Sequence, residues 1–194
     1  MWDERYGEAH YIYGTEPNDF LREHVNELPR GKVLCLADGE GRNSVFLAEQ
    51  GFDVTAVDAS RVGLDKGRQL ATARQVVVHQ VHADLADFAL GHEQWDAIVS
   101  IFCHVPPPLR VVLHKHVVAA LKPGGVLLLE AYTPDQISHG TGGPPDPALT
   151  MSAAGLRREL EGLRFKHLHE TERDVVEGTH HTGLGAVVQC IAAK

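Results

Sequence analysis

The sequence predicts a doubly wound α/β sheet, mostly parallel, that ends in an antiparallel hairpin. Three observations predict it. Lys32 to Asn43 reads KVLCLADGEGRN, an apolar run followed by a turn with Gly39 and Gly41. A helix-like stretch and a second apolar run come next, and that run ends on Asp58, nineteen residues after Gly39. The tail holds two strand-like runs on either side of Glu177-Gly178. Strand, glycine turn, helix, strand and acid is the layout of a nucleotide-binding half.

Each element has its own local reason. Met1 to Gly14 lies ahead of the first strand and carries Trp2, Tyr6, Tyr11 and Tyr13, four of the twelve aromatics. It reads either as a flap lending aromatic faces to a cationic ligand or as a plain lid on the sheet edge. Pro17 to Leu28 reads as a helix with Phe20, Leu21, Val25 and Leu28 on one side. Val33, Leu34 and Leu36 are the short apolar run expected of a strand buried on both faces. Arg42 to Gln50 is a crossover helix stopped by Gly51, and Asp53 to Val57 is the second strand. Ser60 is set to cap a helix running to about Arg74. Its two interior glycines weaken it by about 1 kcal/mol each and point to close packing. Val76 to His82 and Trp95 to Ile101 are strands three and four. Pro106 to Pro108 punctuates, and Leu109 to Leu121 repeats apolar residues at helical spacing. Pro123-Gly124-Gly125 turns the chain into strand five, Val126 to Tyr132. GTGGPPDP, Gly140 to Pro147, is too rich in breakers for an element, and is either a pocket-shaping loop or a connector. Ser152 caps a last helix bearing Leu156, Leu160 and Leu163. Phe165 to Val176 and Thr182 to Ala193 form the hairpin.

The acidic turn bears on the choice of ligand. A dinucleotide needs its pyrophosphate on the helix N-terminus. Here Asp38 and Glu40 flank Gly39, and each would repel a phosphate by roughly 1 kcal/mol or more. S-adenosylmethionine carries a sulfonium and an ammonium instead, and suits an acidic turn.

These residues carry a resemblance. GEGRN after an apolar strand, Asp58 ending strand two, Ala83-Asp84-Leu85 after strand three, and Leu121-Lys122-Pro123-Gly124-Gly125 before strand five are in the order of a class I S-adenosylmethionine-dependent methyltransferase. The chain is most similar to the small tellurite-resistance-type and thiopurine-type members, and the resemblance spans nearly its whole length. It implies a single Rossmann-like domain over 1–194 with a seven-stranded sheet, in which residues 1–30 form a flap and helix over the cofactor site. It implies S-adenosylmethionine as cofactor: Asp58 at the ribose, Asp84 and Leu85 at the adenine, and Gly39 and Gly41 admitting the methionine portion. Asp38, Asn43, Ala59 and Ser100 complete that cofactor set. Two positions depart from the family. Cys35 stands where members carry an acid, and Ala37 where they carry a glycine. Asp38 is the candidate substitute for the missing acid, and Ala37 is expected to narrow the approach to the methionine portion.

Ser100 to Val105 follows strand four at the carboxyl edge, where ligands bind in open α/β sheets. Phe102 is expected to wall the methyl group, and His104 to orient the acceptor or take its proton. Tyr13 joins them from the flap. Cys103 beside His104 is no catalytic pair, because neighbours in an extended segment point apart. His114 and His116 differ by two and share no helix face, and the other histidines lack metal-ligand spacing, so no metal is expected.

Composition bounds the partners. The 194 residues suffice for one domain with its own core. A net charge of −8 argues against a nucleic-acid substrate. No apolar run approaches a membrane span, the first residues are polar, and three cysteines cannot all pair, which together suggest a reducing cytoplasm. The expected reaction is methyl transfer to a small thiol, metalloid oxyanion, phenol or amine, with oligomeric state unread. Two competing readings are a non-catalytic S-adenosylmethionine- or S-adenosylhomocysteine-binding regulator and a dinucleotide-dependent oxidoreductase.

Overall fold

Seven strands form one sheet in the order β3-β2-β1-β4-β5-β7-β6. They are β1 (Lys32–Leu36), β2 (Asp53–Asp58), β3 (His79–His82), β4 (Trp95–Ile101), β5 (Leu121–Tyr132), β6 (Arg164–Glu177) and β7 (His181–Ala193). The first five run parallel, and β7 lies antiparallel between β5 and β6. The computed structural model describes residues 2–194, so Met1, the first residue of the expected flap, lies outside them.

Helices cover both faces. They are α1 (Trp2–Tyr6), α2 (Asp19–His24), α3 (Arg42–Glu49), α4 (Arg61–Ala73), α5 (Pro107–Ala120) and α6 (Ala153–Glu159). Successive strand side chains alternate between faces. Leu34 and Leu36 of β1 join Leu113 and Val117 of α5 and Leu156 of α6 in one core. Val33 and Cys35 join Phe20 and Leu21 of α2 and Leu47 of α3 in the other. A strand with two cores must be apolar throughout, and this is why β1 shows no polar alternation.

Some boundaries move, each for a local reason. The helix expected over Pro17 to Leu28 is α2 followed by a 3-10 turn, Val25–Glu27, with the Asn18 side chain accepting from Leu21 N. Strand three is shorter than expected. Gln75 takes a left-handed φ of +57° after α4, and Val77 is largely exposed, so pairing with β2 begins only at His79. Pro107 and Pro108 lie inside α5 rather than ahead of it, in the first turn, where a missing N–H costs nothing. The glycines of α4 do allow close packing, but against the glycine turn. A Cβ on Gly63 would lie 2.9 Å from Gly39 O, and one on Gly67 3.3 Å from Gly41 Cα.

Candidate functional site

Strand order reverses between β1 and β4, so the crevice for a ligand opens beyond Leu36 and Ile101. The chain leaves β1 through three left-handed positions, Ala37 (φ +49°), Gly39 (+62°) and Gly41 (+91°). Gly39 N donates to Asp58 Oδ2 at 2.8 Å, and Ser60 N donates to Asp58 Oδ1 at 2.8 Å. The Asp58 carboxylate is thus aimed at the turn with both oxygens fixed. Burial, and then the charge of Asp3, raise its affinity for a proton. Asp38 accepts from Ser44 N at 3.2 Å and from the Ser44 hydroxyl. Burial, reinforced by the charge of Asp58, pushes its carboxyl up to about 6. The donors to these two acids are backbone amides and a hydroxyl, so their charges are not cancelled by a bonded cation.

Glu40 does not belong to this acidic face, contrary to the sequence reading. Its carboxylate turns away and accepts from Ile12 N (2.8 Å), Tyr13 N (3.3 Å) and Lys66 Nζ (2.8 Å). It ties down the N-terminal segment. Asn43 does the same from α3, with Oδ1 accepting from Asn18 N at 2.9 Å. The segment therefore lies over the turn. Tyr6 is buried there, and its hydroxyl would sit 2.6 Å from a Cβ on Gly39. Asp3 accepts from Ser60 Oγ at 2.5 Å.

The remaining cofactor candidates line the rim or the floor. Ala59 is exposed, and its carbonyl lies 3.0 Å from His82 Nε2. Asp84 is exposed, accepts from Ala86 N at 2.8 Å, and caps the short turn that follows, while Leu85 packs against the core edge. Ser100 is buried at the end of β4.

Beyond β4 the side chains are aromatic. Phe102, at a strained φ of +50°, stacks on Tyr132 with ring centroids 4.5 Å apart. His181 meets both edge-on, at 5.0 and 5.3 Å, and Tyr13 packs on His181 at 4.6 Å. Phe102 and Tyr13 thus both pack on His181. His104 is nearby but is not available as a base, which corrects that expectation. Its Nδ1 lies 2.9 Å from Leu149 O, and its Nε2 accepts from Tyr132 N at 3.3 Å. Both nitrogens are spent on backbone, and burial holds its pKa down at about 4. It fixes the loop before α6 to the end of β5. Cys103 is buried with its thiol pushed up to about 12 by burial, so it stays protonated.

Sequence reasoning missed a buried ionic network beneath these rings. Glu130 accepts from Asn18 Nδ2 (2.8 Å), Gln189 Nε2 (2.6 Å) and the Arg173 guanidinium. Glu177 accepts from Asn18 Nδ2 (2.8 Å), Arg42 Nη2 (2.5 Å) and Arg173 Nη2 (3.2 Å). His181, beside the hairpin turn, is buried because that turn folds back on the N-terminal segment, where Thr179 N donates to Ile12 O at 2.8 Å. The available signal was a charged residue inside a strand that otherwise reads as core, Glu130 in the apolar run of β5.

Among the described residues, no three His, Cys, Asp or Glu side chains gather where a metal could be held, and no helix is long and apolar enough to cross a membrane. Residues 33–125 match the methyltransferase domain family. A Bacillus subtilis protein named as the methyltransferase YqeM is 32% identical over 143 residues, 71% of this chain and 55% of that one. The chain spans about half the length of the curated relatives it matches. Among solved structures, TehB from Haemophilus influenzae superposes with a TM-score of 0.75 at 20% identity, covering 100% of this chain and 65% of that one. An S-adenosylmethionine-dependent methyltransferase of Methanosarcina mazei superposes with a TM-score of 0.69 at 18% identity, covering 92% and 98%.

Proposed function

We propose that the chain, which matches the methyltransferase domain family over residues 33–125 and shares the fold of a solved S-adenosylmethionine-dependent methyltransferase, transfers a methyl group from S-adenosylmethionine to a small-molecule acceptor. The observation that carries the reading is the acid pair at the glycine turn. Asp58 faces Gly39 with both oxygens held by backbone N–H groups, and Asp38 stands beside it without a bonded cation. Each Asp58 oxygen keeps acceptor capacity for a ribose hydroxyl. Asp38, ionised at neutral pH, favours the cationic methionine end and disfavours a pyrophosphate. Gly39, which Tyr6 covers, would let that end approach the backbone once Tyr6 gives way, whereas Gly41 is needed for the close packing of the turn on Gly67 of α4. Asp84 and the Leu85 N–H are proposed at the adenine, with Ala59 and Ser100 on the rim and floor. Asn43 acts indirectly, by holding the N-terminal segment in place.

Bound there, S-adenosylmethionine supplies an electrophilic methyl carbon on a good leaving group. The protein's part is alignment and exclusion of water. Phe102 and Tyr13 offer ring faces to a sulfonium. Tyr6 and α1 cover the turn, so a ligand seated there would have to displace them. The acceptor is a small thiol, metalloid oxyanion, phenol or amine.

Calorimetric titration with S-adenosylhomocysteine tests this, with NADH as control and Asp58→Ala alongside. Micromolar binding by the wild type and at least tenfold weaker binding by the variant are expected. No binding, or equal binding by both proteins, would sink the assignment.

A further inference from the structure

The space over Gly39 is already taken. Tyr6 is buried, and a Cβ built on Gly39 would lie 2.6 Å from Tyr6 Oη and 3.2 Å from its Cζ. A Cβ on Gly63 would lie 3.1 Å from Tyr6 Cδ2, so the ring is wedged between the glycine turn and α4. Burial, and then the charge of Asp58, hold its phenol well above the usual range, so it stays protonated. A second contact fixes α1. Asp3 Oδ1 accepts from Ser60 Oγ at 2.5 Å and from Val62 N at 3.3 Å. Asp3 thus takes up donors at the first turn of α4, beside Asp58, whose carboxylate it meets as a like charge.

The N-terminal segment has a fixed end and a looser one. The backbone of Ile12 is clamped from both sides: its N–H donates to Glu40, and its carbonyl accepts from Thr179 N at 2.8 Å. A Cβ on Gly178 would lie 2.1 Å from Ile12 O, so the hairpin turn packs directly on this point. Between Ile12 and α1, residues Gly7 to His10 are exposed, and Lys66 Nζ holds His10 O at 2.8 Å. A swing on residues 7–10 moves Tyr6 and Asp3 and leaves the Ile12 clamp in place.

Occupancy decides between two roles for α1. A cover needs a gap beneath it in which the ligand fits. Here the Tyr6 hydroxyl stands where a first atom beyond Gly39 Cα would meet it. A methionine end that approaches the Gly39 backbone needs that same volume, and a close-packed site does not hold both.

We propose that α1 is an intramolecular competitor of the cofactor: Tyr6 and Asp3 occupy the glycine turn and the first turn of α4 in the free protein, and S-adenosylmethionine binds only after α1 swings out. This rests on the cofactor site assigned above. The apparent affinity is then the intrinsic affinity scaled by the fraction of chains with α1 out. Loosening α1 raises that fraction. Removing its contacts therefore tightens binding, the reverse of what losing a ligand contact does.

The test compares the wild type with Asp3→Ala and Tyr6→Ala. Each is titrated calorimetrically with S-adenosylhomocysteine, whose charges sum to zero, so that loss of the Asp3 charge by itself alters binding little. Both variants are expected to bind at least threefold more tightly than the wild type. Trypsin cleavage of the wild type at Arg5, within α1, is followed by mass spectrometry with and without saturating S-adenosylhomocysteine. The ligand is expected to speed that cleavage at least threefold. Equal affinity in all three proteins, or weaker binding by the variants, would overturn the competitor and leave the cofactor assignment standing. Slower cleavage with ligand present would do the same, because α1 then closes over the cofactor instead of yielding to it. No binding by any of the three proteins would remove the cofactor assignment itself.

Discussion

The Glu40 carboxylate, in the glycine turn, receives the backbone N–H of Ile12 at 2.8 Å from 28 residues earlier in the chain. The same group pairs with Lys66 of α4. One side chain thus joins the turn, a helix and the segment that covers them. Glu40→Ala would leave two N–H groups without this acceptor and a largely buried ammonium, still bonded to His10 O, without its counter-charge, a loss of roughly 3 kcal/mol. Urea denaturation should show that loss, and trypsin should cut at Arg5 faster than in the wild type. Unchanged stability and cleavage would remove the tether.

Ala37 shows what the departure from glycine costs. At φ +49° its Cβ crowds the backbone, a strain of about 1 kcal/mol. Ala37→Gly should therefore raise stability by up to about 1 kcal/mol, part of the gain being offset by the freer unfolded chain. A lower denaturation midpoint in the variant would contradict the strain argument.

Burial holds His104 at about 4 and His181 at about 3, against 6.5 when unfolded. The unfolded chain takes up protons below 6.5 that the folded one refuses. This contribution to stability is whole above that value and is lost as pH falls toward 4 and 3. By pH 5 each histidine should have cost about 2 kcal/mol. Melting temperatures at pH 7 and pH 5 measure the slope. His181→Gln should flatten it, and an equal slope would clear His181 of any part.

Asp38 works in the opposite sense. Its folded pKa of about 6 lies above the unfolded 3.8, so the stability it adds is present at low pH and is lost as pH rises through about 6. A cationic ligand prefers the ionised form. Affinity for S-adenosylmethionine should therefore rise about tenfold between pH 5 and pH 7. Asp38→Asn should bind weakly and without that pH dependence; a slope that survives in Asp38→Asn would assign it to another group.

Elements whose cause lies in neighbouring residues were legible. β1, its glycine turn and Asp58 follow from a short apolar run, left-handed positions and an acid closing the next strand. The Ser60 and Ser152 caps read directly, because a cap bonds three residues ahead. Less legible was the direction of a side chain in a turn. Glu40 and Asp38 look alike in the sequence, yet one faces the crevice and the other a distant backbone.

The sequence by itself determined the sheet class, the place of the crevice and the acidic character of its turn, because these rest on periodicity and on contacts within about thirty residues. Only the tertiary structure decided which polar groups meet behind the rings. Arg42 and Glu177 are 135 residues apart and Asn18 and Glu177 are 159 apart, and nothing local distinguishes them from surface residues. Tertiary structure also took His104 out of the chemistry and brought His181 beside Tyr132. The hairpin turn and the N-terminal segment had to fold onto each other before His181 acquired its surroundings, and the loop before α6 had to reach the end of β5 before His104 did.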